Sequence, residues 1–106
     1  MKCLSIQIQA TADARFSVED VLYLSRKCGR YPEIDSDDDQ SGNVNLNYFT
    51  EQLPVLWSDL KKHLYEDPNL GPWLKKASLV VCEGDDGWDN YLLLHHYDSN
   101  ESTDNV

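Results

Sequence analysis

The residues from Ala77 to Tyr97 constrain this chain more than any others. Ala77 to Cys82 and Trp88 to Tyr97 are β-branched, aromatic or aliphatic runs, and Glu83-Gly84-Asp85-Asp86-Gly87 between them is rich in residues that tolerate positive φ. That pattern predicts a β-hairpin. The remaining elements must then bury its apolar side.

At the amino terminus Leu4, Ile6 and Ile8 alternate with Cys3, Ser5, Gln7 and Gln9, the period of a strand with one buried face. Ser17 as N-cap, Asp20 three residues later and Phe16 as a hydrophobic staple onto Val21 predict a helix start. Val18, Val21, Leu22 and Ser25 give that helix its apolar side, Arg26 and Lys27 suit its carboxyl end, and Gly29 can terminate it. From Arg30 to Gly42 the signals are those of a loop, and Asn43 to Asn47 alternates as a short strand would. Leu53, Leu56, Trp57, Leu60 and Leu64 form one helical stripe, with Thr50 as the expected N-cap and Pro54 in the first turn. Asp67-Pro68-Asn69-Leu70-Gly71-Pro72 reads as a stop and a turn. The expected fold is α+β: a small three- or four-stranded, mostly antiparallel sheet with two helices packed on one face. Residues 1–98 are expected to form a single domain, and residues 99–106 a disordered polar tail.

A chain of 106 residues has room for one core. With 41% apolar and 26% charged residues it lies in the range of globular proteins, well away from compositions that stay unfolded. Its longest apolar runs are four residues, against roughly 20 for a membrane span. The alternating amino terminus lacks the apolar stretch of a secretory signal, so a cytoplasmic location is expected. Cys3, Cys28 and Cys82 fit no disulfide framework or C-x-x-C site and read as reduced core thiols.

The net charge of −10 is unevenly spread. Between Tyr31 and Leu60 lie seven acidic residues without a Lys or Arg, and Ala77 to Val106 repeats that count. Such a chain is repelled by a phosphate backbone, and its nine basic residues form no dense stripe, so nucleic-acid binding is disfavoured.

Asp37-Asp38-Asp39-Gln40-Ser41-Gly42-Asn43-Val44-Asn45-Leu46-Asn47-Tyr48 is the most motif-like segment. In its first half it resembles an EF-hand loop, with oxygen ligands at Asp37, Asp39 and Ser41 and the glycine at Gly42. Tyr48 stands where the bidentate Glu belongs, which leaves a weak calcium-binding module as an alternative and a solvated acidic loop as the plainer reading. Glu83 to Asp89 is glycine-rich but too acidic for a phosphate cradle. His95 and His96, adjacent on a strand, face opposite sides and cannot share one metal. No cofactor or metal site and no catalytic motif is expected, although a histidine hydrogen-bonded to a carboxylate in a pocket would point to an enzyme.

Acidic loops beside aromatic side chains suit a basic protein surface. The expected function is a small acidic module that neutralises a basic partner, of the type of bacterial toxin immunity proteins. Such a partner includes nucleases, which must be basic to hold their substrate. Asp35, Asp37, Asp38, Asp39, Asp85, Asp86 and Asp89 are the expected polar contacts, with Trp88 and Tyr91 as anchors. A role of the acidity in solubility alone is the competing expectation.

Overall fold

The computed structural model of the chain describes residues 1–9, 15–36 and 42–106. Its elements in order are β1 (Lys2–Ile8), α1 (Val18–Lys27), β2 (Glu33–Ser36), β3 (Val44–Thr50), α2 (Leu53–Leu60), α3 (Leu70–Ala77), β4 (Ser78–Gly84) and β5 (Gly87–His95). The strands form one sheet in the order β2-β3-β1-β4-β5, and every neighbouring pair is antiparallel. The class is α+β, as the pattern predicts, with one strand and one helix more than the expected upper count.

The period-two reading of β1 places the core. Leu4, Ile6 and Ile8 point to the same side as Leu46 and Tyr48 of β3 and Val80 and Cys82 of β4, and all seven are buried. The helices cover that side. α1 begins where expected, with the Asp20 carboxylate accepting the Ser17 N–H at 2.8 Å. It ends at Gly29, whose φ of 85° lets the chain leave the helix without the cost a side chain would add. Phe16 rests its ring on Trp73, with centroids 5.9 Å apart. The whole stripe from Leu53 to Leu64 is buried. α2 starts three residues past Thr50, with Gln52 as its N-cap, and the Thr50 hydroxyl accepts the Gln52 N–H at 2.9 Å.

After Leu60 the helix widens into a π-helical turn over Lys61–Tyr65, with Glu66 N–H donating to the Lys61 carbonyl at 2.8 Å. The wider turn lets two consecutive side chains, Leu64 and Tyr65, both reach the core. The predicted stop at Asp67 to Pro72 is in fact the cap and first turn of α3. The Asp67 carboxylate accepts the N–H groups of Asn69 and Leu70 at 3.0 and 2.7 Å, and Pro72 occupies a first-turn position that has no intrahelical donor to lose. Two buried relays fasten the helices to the sheet. Tyr65 donates to Ser78 at 2.7 Å and Ser78 to the Leu74 carbonyl at 2.7 Å. Tyr48 donates to Ser25 at 2.8 Å and Ser25 to the Arg30 carbonyl at 2.7 Å.

The region read as a loop after Arg30 contains β2, which pairs Glu33 to Ser36 with Asn47 to Val44. Residues 99–106 hold no helix or strand, yet one of them is tied to the sheet: Asp104 N–H donates to the Leu93 carbonyl at 2.6 Å and its carboxylate accepts the Leu93 N–H at 2.9 Å.

Candidate functional site

Because the strands alternate and the helices occupy one side, every second side chain of the sheet faces away from them. On the β2–β3 half these are Glu33 and Asp35, paired with Asn47 and Asn45, and then Phe49 opposite Cys3. On the β4–β5 half they are Leu79 and Val81, with Leu93 beside Val81, Tyr91 two residues before it, and Glu83 at the end. Ser5 and Gln7 of β1 lie between the halves, Ser5 donating to the Asn47 side-chain oxygen at 2.8 Å. Among the described residues no helix packs here, and none of these side chains is Lys or Arg. The result is a bare sheet face, acidic and amide-rich on one half and apolar on the other.

The cations are on the opposite side. Seven of the nine, Arg26, Lys27, Arg30, Lys61, Lys62, Lys75 and Lys76, lie in or next to the helices, where they outnumber five carboxylates. The described strands, their connections and the tail carry ten carboxylates and two cations, Arg15 just ahead of α1 and Lys2, whose ammonium is engaged by the Gly84 carbonyl at 3.0 Å. Arg30 meets Asp59 at 2.6 Å, and its guanidinium holds the Asp59 carboxyl below the usual range. Lopsided acidity along the sequence is thus a charge separation between two layers.

The residues singled out in the sequence do not gather at one point. Asp35 is on β2, at one margin of the sheet, and Asp85 and Asp86 form the tight turn before β5, at the other margin. Four strand spacings of about 4.8 Å separate the margins, roughly 19 Å in all. They also lie at opposite ends of β1: Ser36 pairs with Val44, the partner of Ile8, whereas Gly84 lies beside Lys2. Asp35 and the Asp85–Asp86 turn therefore meet the bare face at diagonal corners. Asp37, Asp38, Asp39 and Ser41, and with them all three oxygen ligands named for the calcium-loop reading, lie outside the described residues. Trp88 and Tyr91 are 46% and 59% exposed, and an open depression of about 530 Å³ at their corner is lined by Asp85, Asp86, Asp89, Tyr91 and Asp104. Glu33, Asn45, Asn47, Phe49 and Val81 belong to the face as well. Their signal was the alternation of β2 and β3, which one apolar residue in β2 and three asparagines around β3 obscured.

His95 is the last residue of β5, and His96, expected on the same strand, lies just past its end. The His95 ring packs on Tyr65 with centroids 5.0 Å apart, and its Nε2 donates to the Lys75 carbonyl at 2.9 Å. Burial pushes its pKa down, so the ring is neutral near pH 7. A depression of about 240 Å³ lined by Trp57, Lys61, Tyr65, Lys75 and His95 lies beside it. His96 stacks on Tyr97 and accepts the Asp98 N–H at 3.0 Å. Of the thiols, Cys82 is buried and Cys3 and Cys28 half-buried, and burial raises the pKa of both Cys3 and Cys82. Among the described residues no three His, Cys, Asp or Glu are arranged to hold a metal ion, and no helix is long and apolar enough to cross a membrane. Comparison of the chain with protein-family models, with curated proteins and with solved structures found no match.

Proposed function

We propose that this chain is an acidic protein-binding module that docks on a basic protein and neutralises it, working in the cytoplasm in the manner of a bacterial toxin immunity protein. The observation that carries the reading is the bare sheet face with Glu33, Asp35 and Glu83 and no cation, backed by a helical layer that holds seven of the nine cations. A molecule charged in this way is turned in the field of a basic partner so that its sheet side arrives first. Leu79, Val81, Leu93 and Tyr91 then supply apolar area for the centre of an interface, while Asp35, Asp85, Asp86 and Asp89 supply its charged rim, with Trp88 as a corner anchor. A nuclease is the apt target, since its substrate groove is built to attract phosphates and carboxylates can occupy the same place.

Co-expression with the product of the adjacent gene tests the reading. The expected result is a basic, growth-inhibiting product whose toxicity this chain relieves, with a complex that forms at low salt and weakens as salt rises. In the double variant Glu33→Gln/Asp35→Asn affinity should fall by at least tenfold. An acidic or harmless neighbour that does not bind, or rescue unaffected by neutralising both Glu33/Asp35 and Asp85/Asp86, would overturn it.

A further inference from the structure

The two margins of the sheet are not alike. At β5 the outward N–H and C=O of Leu93 are both taken by Asp104. At β2 no described residue pairs with the outer edge. The strand there is short and two-faced. Glu33 and Asp35 point to the bare face, while Ile34 points to the helix side, opposite Leu46 in the pairing, and is nevertheless 52% exposed. Tyr31, just before the strand, is 73% exposed.

An unpaired strand edge is a template for another strand, and its side chains decide which strand it accepts. A second copy of this chain is a poor candidate. Antiparallel pairing of β2 with itself about Ile34 sets Glu33 against Asp35 of the second copy on both sides of the axis, and like charges directly opposite destabilise a ladder. A strand with basic residues on one face and apolar residues on the other meets carboxylates with cations and covers Ile34 at the same time. We propose that the outer edge of β2 receives an extended basic segment of the partner as a sixth strand, an inference that rests on the reading of this chain as a binder of basic proteins. The same carboxylates that admit a basic strand exclude self-association.

The test uses three ten-residue peptides of alternating Arg and Val with equal charge: the parent, and two forms N-methylated at every second residue in either phase. N-methylation removes the donors of one edge of the peptide and leaves its cations in place. Binding to the full chain at low salt is followed by fluorescence anisotropy, and hydrogen exchange is read over residues 33–36. The expected result is that the parent binds, slows exchange of amides within 33–36 at least tenfold, and loses at least tenfold in affinity in one of the two methylated phases. Equal binding of all three peptides without slowed exchange at 33–36 would overturn strand addition and leave the acidic docking face standing. Slowed exchange at 33–36 that depends on protein concentration without peptide would make a second copy the occupant and overturn it as well. If no peptide binds, strand addition fails, and the co-expression experiment separately decides whether the wider reading fails with it.

Discussion

At the scale of single residues, the two tyrosine–serine relays give an asymmetric expectation. Ser78 spends its proton on the Leu74 carbonyl, so Tyr65 must be the donor in their contact, and burial pushes the Tyr65 pKa far up. Tyr65→Phe removes that donor and leaves Ser78 bonded, at a cost of about 1 kcal/mol. Ser78→Ala instead strands a buried hydroxyl, at a cost of about 1–3 kcal/mol. Urea midpoints should therefore fall further for Ser78→Ala than for Tyr65→Phe, and the reverse order would refute the donor assignment. Tyr48, its pKa pushed up to about 12 by burial, stands in the same relation to Ser25. His95 supplies a pH dependence. Its folded pKa lies below the ordinary value of 6.5, so below that pH the unfolded chain binds the proton more readily, and stability contributed by the neutral ring is lost as the pH falls. His95→Gln keeps a donor for the Lys75 carbonyl and removes the titration. Between pH 8 and pH 5.5 the unfolding free energy of the parent chain should decline more steeply than that of His95→Gln, as read by urea unfolding across the range. Relief of carboxylate repulsion acts on both chains and cancels in the comparison.

At the scale of elements, α3 depends on a close approach. A Cβ on Gly71 would run into the Tyr65 carbonyl of the π-helical turn, so Gly71→Ala forces the two segments apart. The expected loss is about 1–3 kcal/mol, seen as a lower urea midpoint with the helical signal retained. A variant as stable as the parent would show that α3 moves freely against that turn. This same junction explains what could be read in advance. β1, the start of α1, the stripe of α2 and the β4–β5 hairpin were legible because each rests on a periodic pattern that its local residues complete. α3 was hidden because Pro68, Gly71 and Pro72 punctuate a chain as strongly when they open a helix as when they close one, and only the reach of Asp67 to Asn69 and Leu70 tells the two apart. Tyr65 fell off the predicted stripe because the spacing assumed an unbroken α-helix. β2 has a single apolar residue and exists through pairing with β3, a long-range fact that no window of sequence contains.

At the scale of the molecule, the acidity was legible as a total and as two segments, but its arrangement was not. The sequence places Asp35 and Asp85 fifty residues apart, and only the strand order sets them at diagonal corners of one sheet with the cations behind it. Arrangement and total make different predictions about binding. Lys62→Gln/Lys76→Gln takes the net charge from −10 to −12 by removing two cations from the helical layer, and Glu33→Gln/Asp35→Asn takes it from −10 to −8 by removing two carboxylates from the bare face. Exposed charges more than about 10 Å apart are largely screened at 0.1 M salt. The helical layer should then contribute little once partners touch, and the face should contribute most. For the basic partner found by co-expression, the dissociation constant at about 0.1 M salt should change less than threefold in the lysine variant and rise at least tenfold in the carboxylate variant. Equal and opposite changes in the two variants would mean that total charge, and not the acidic face, draws the partner.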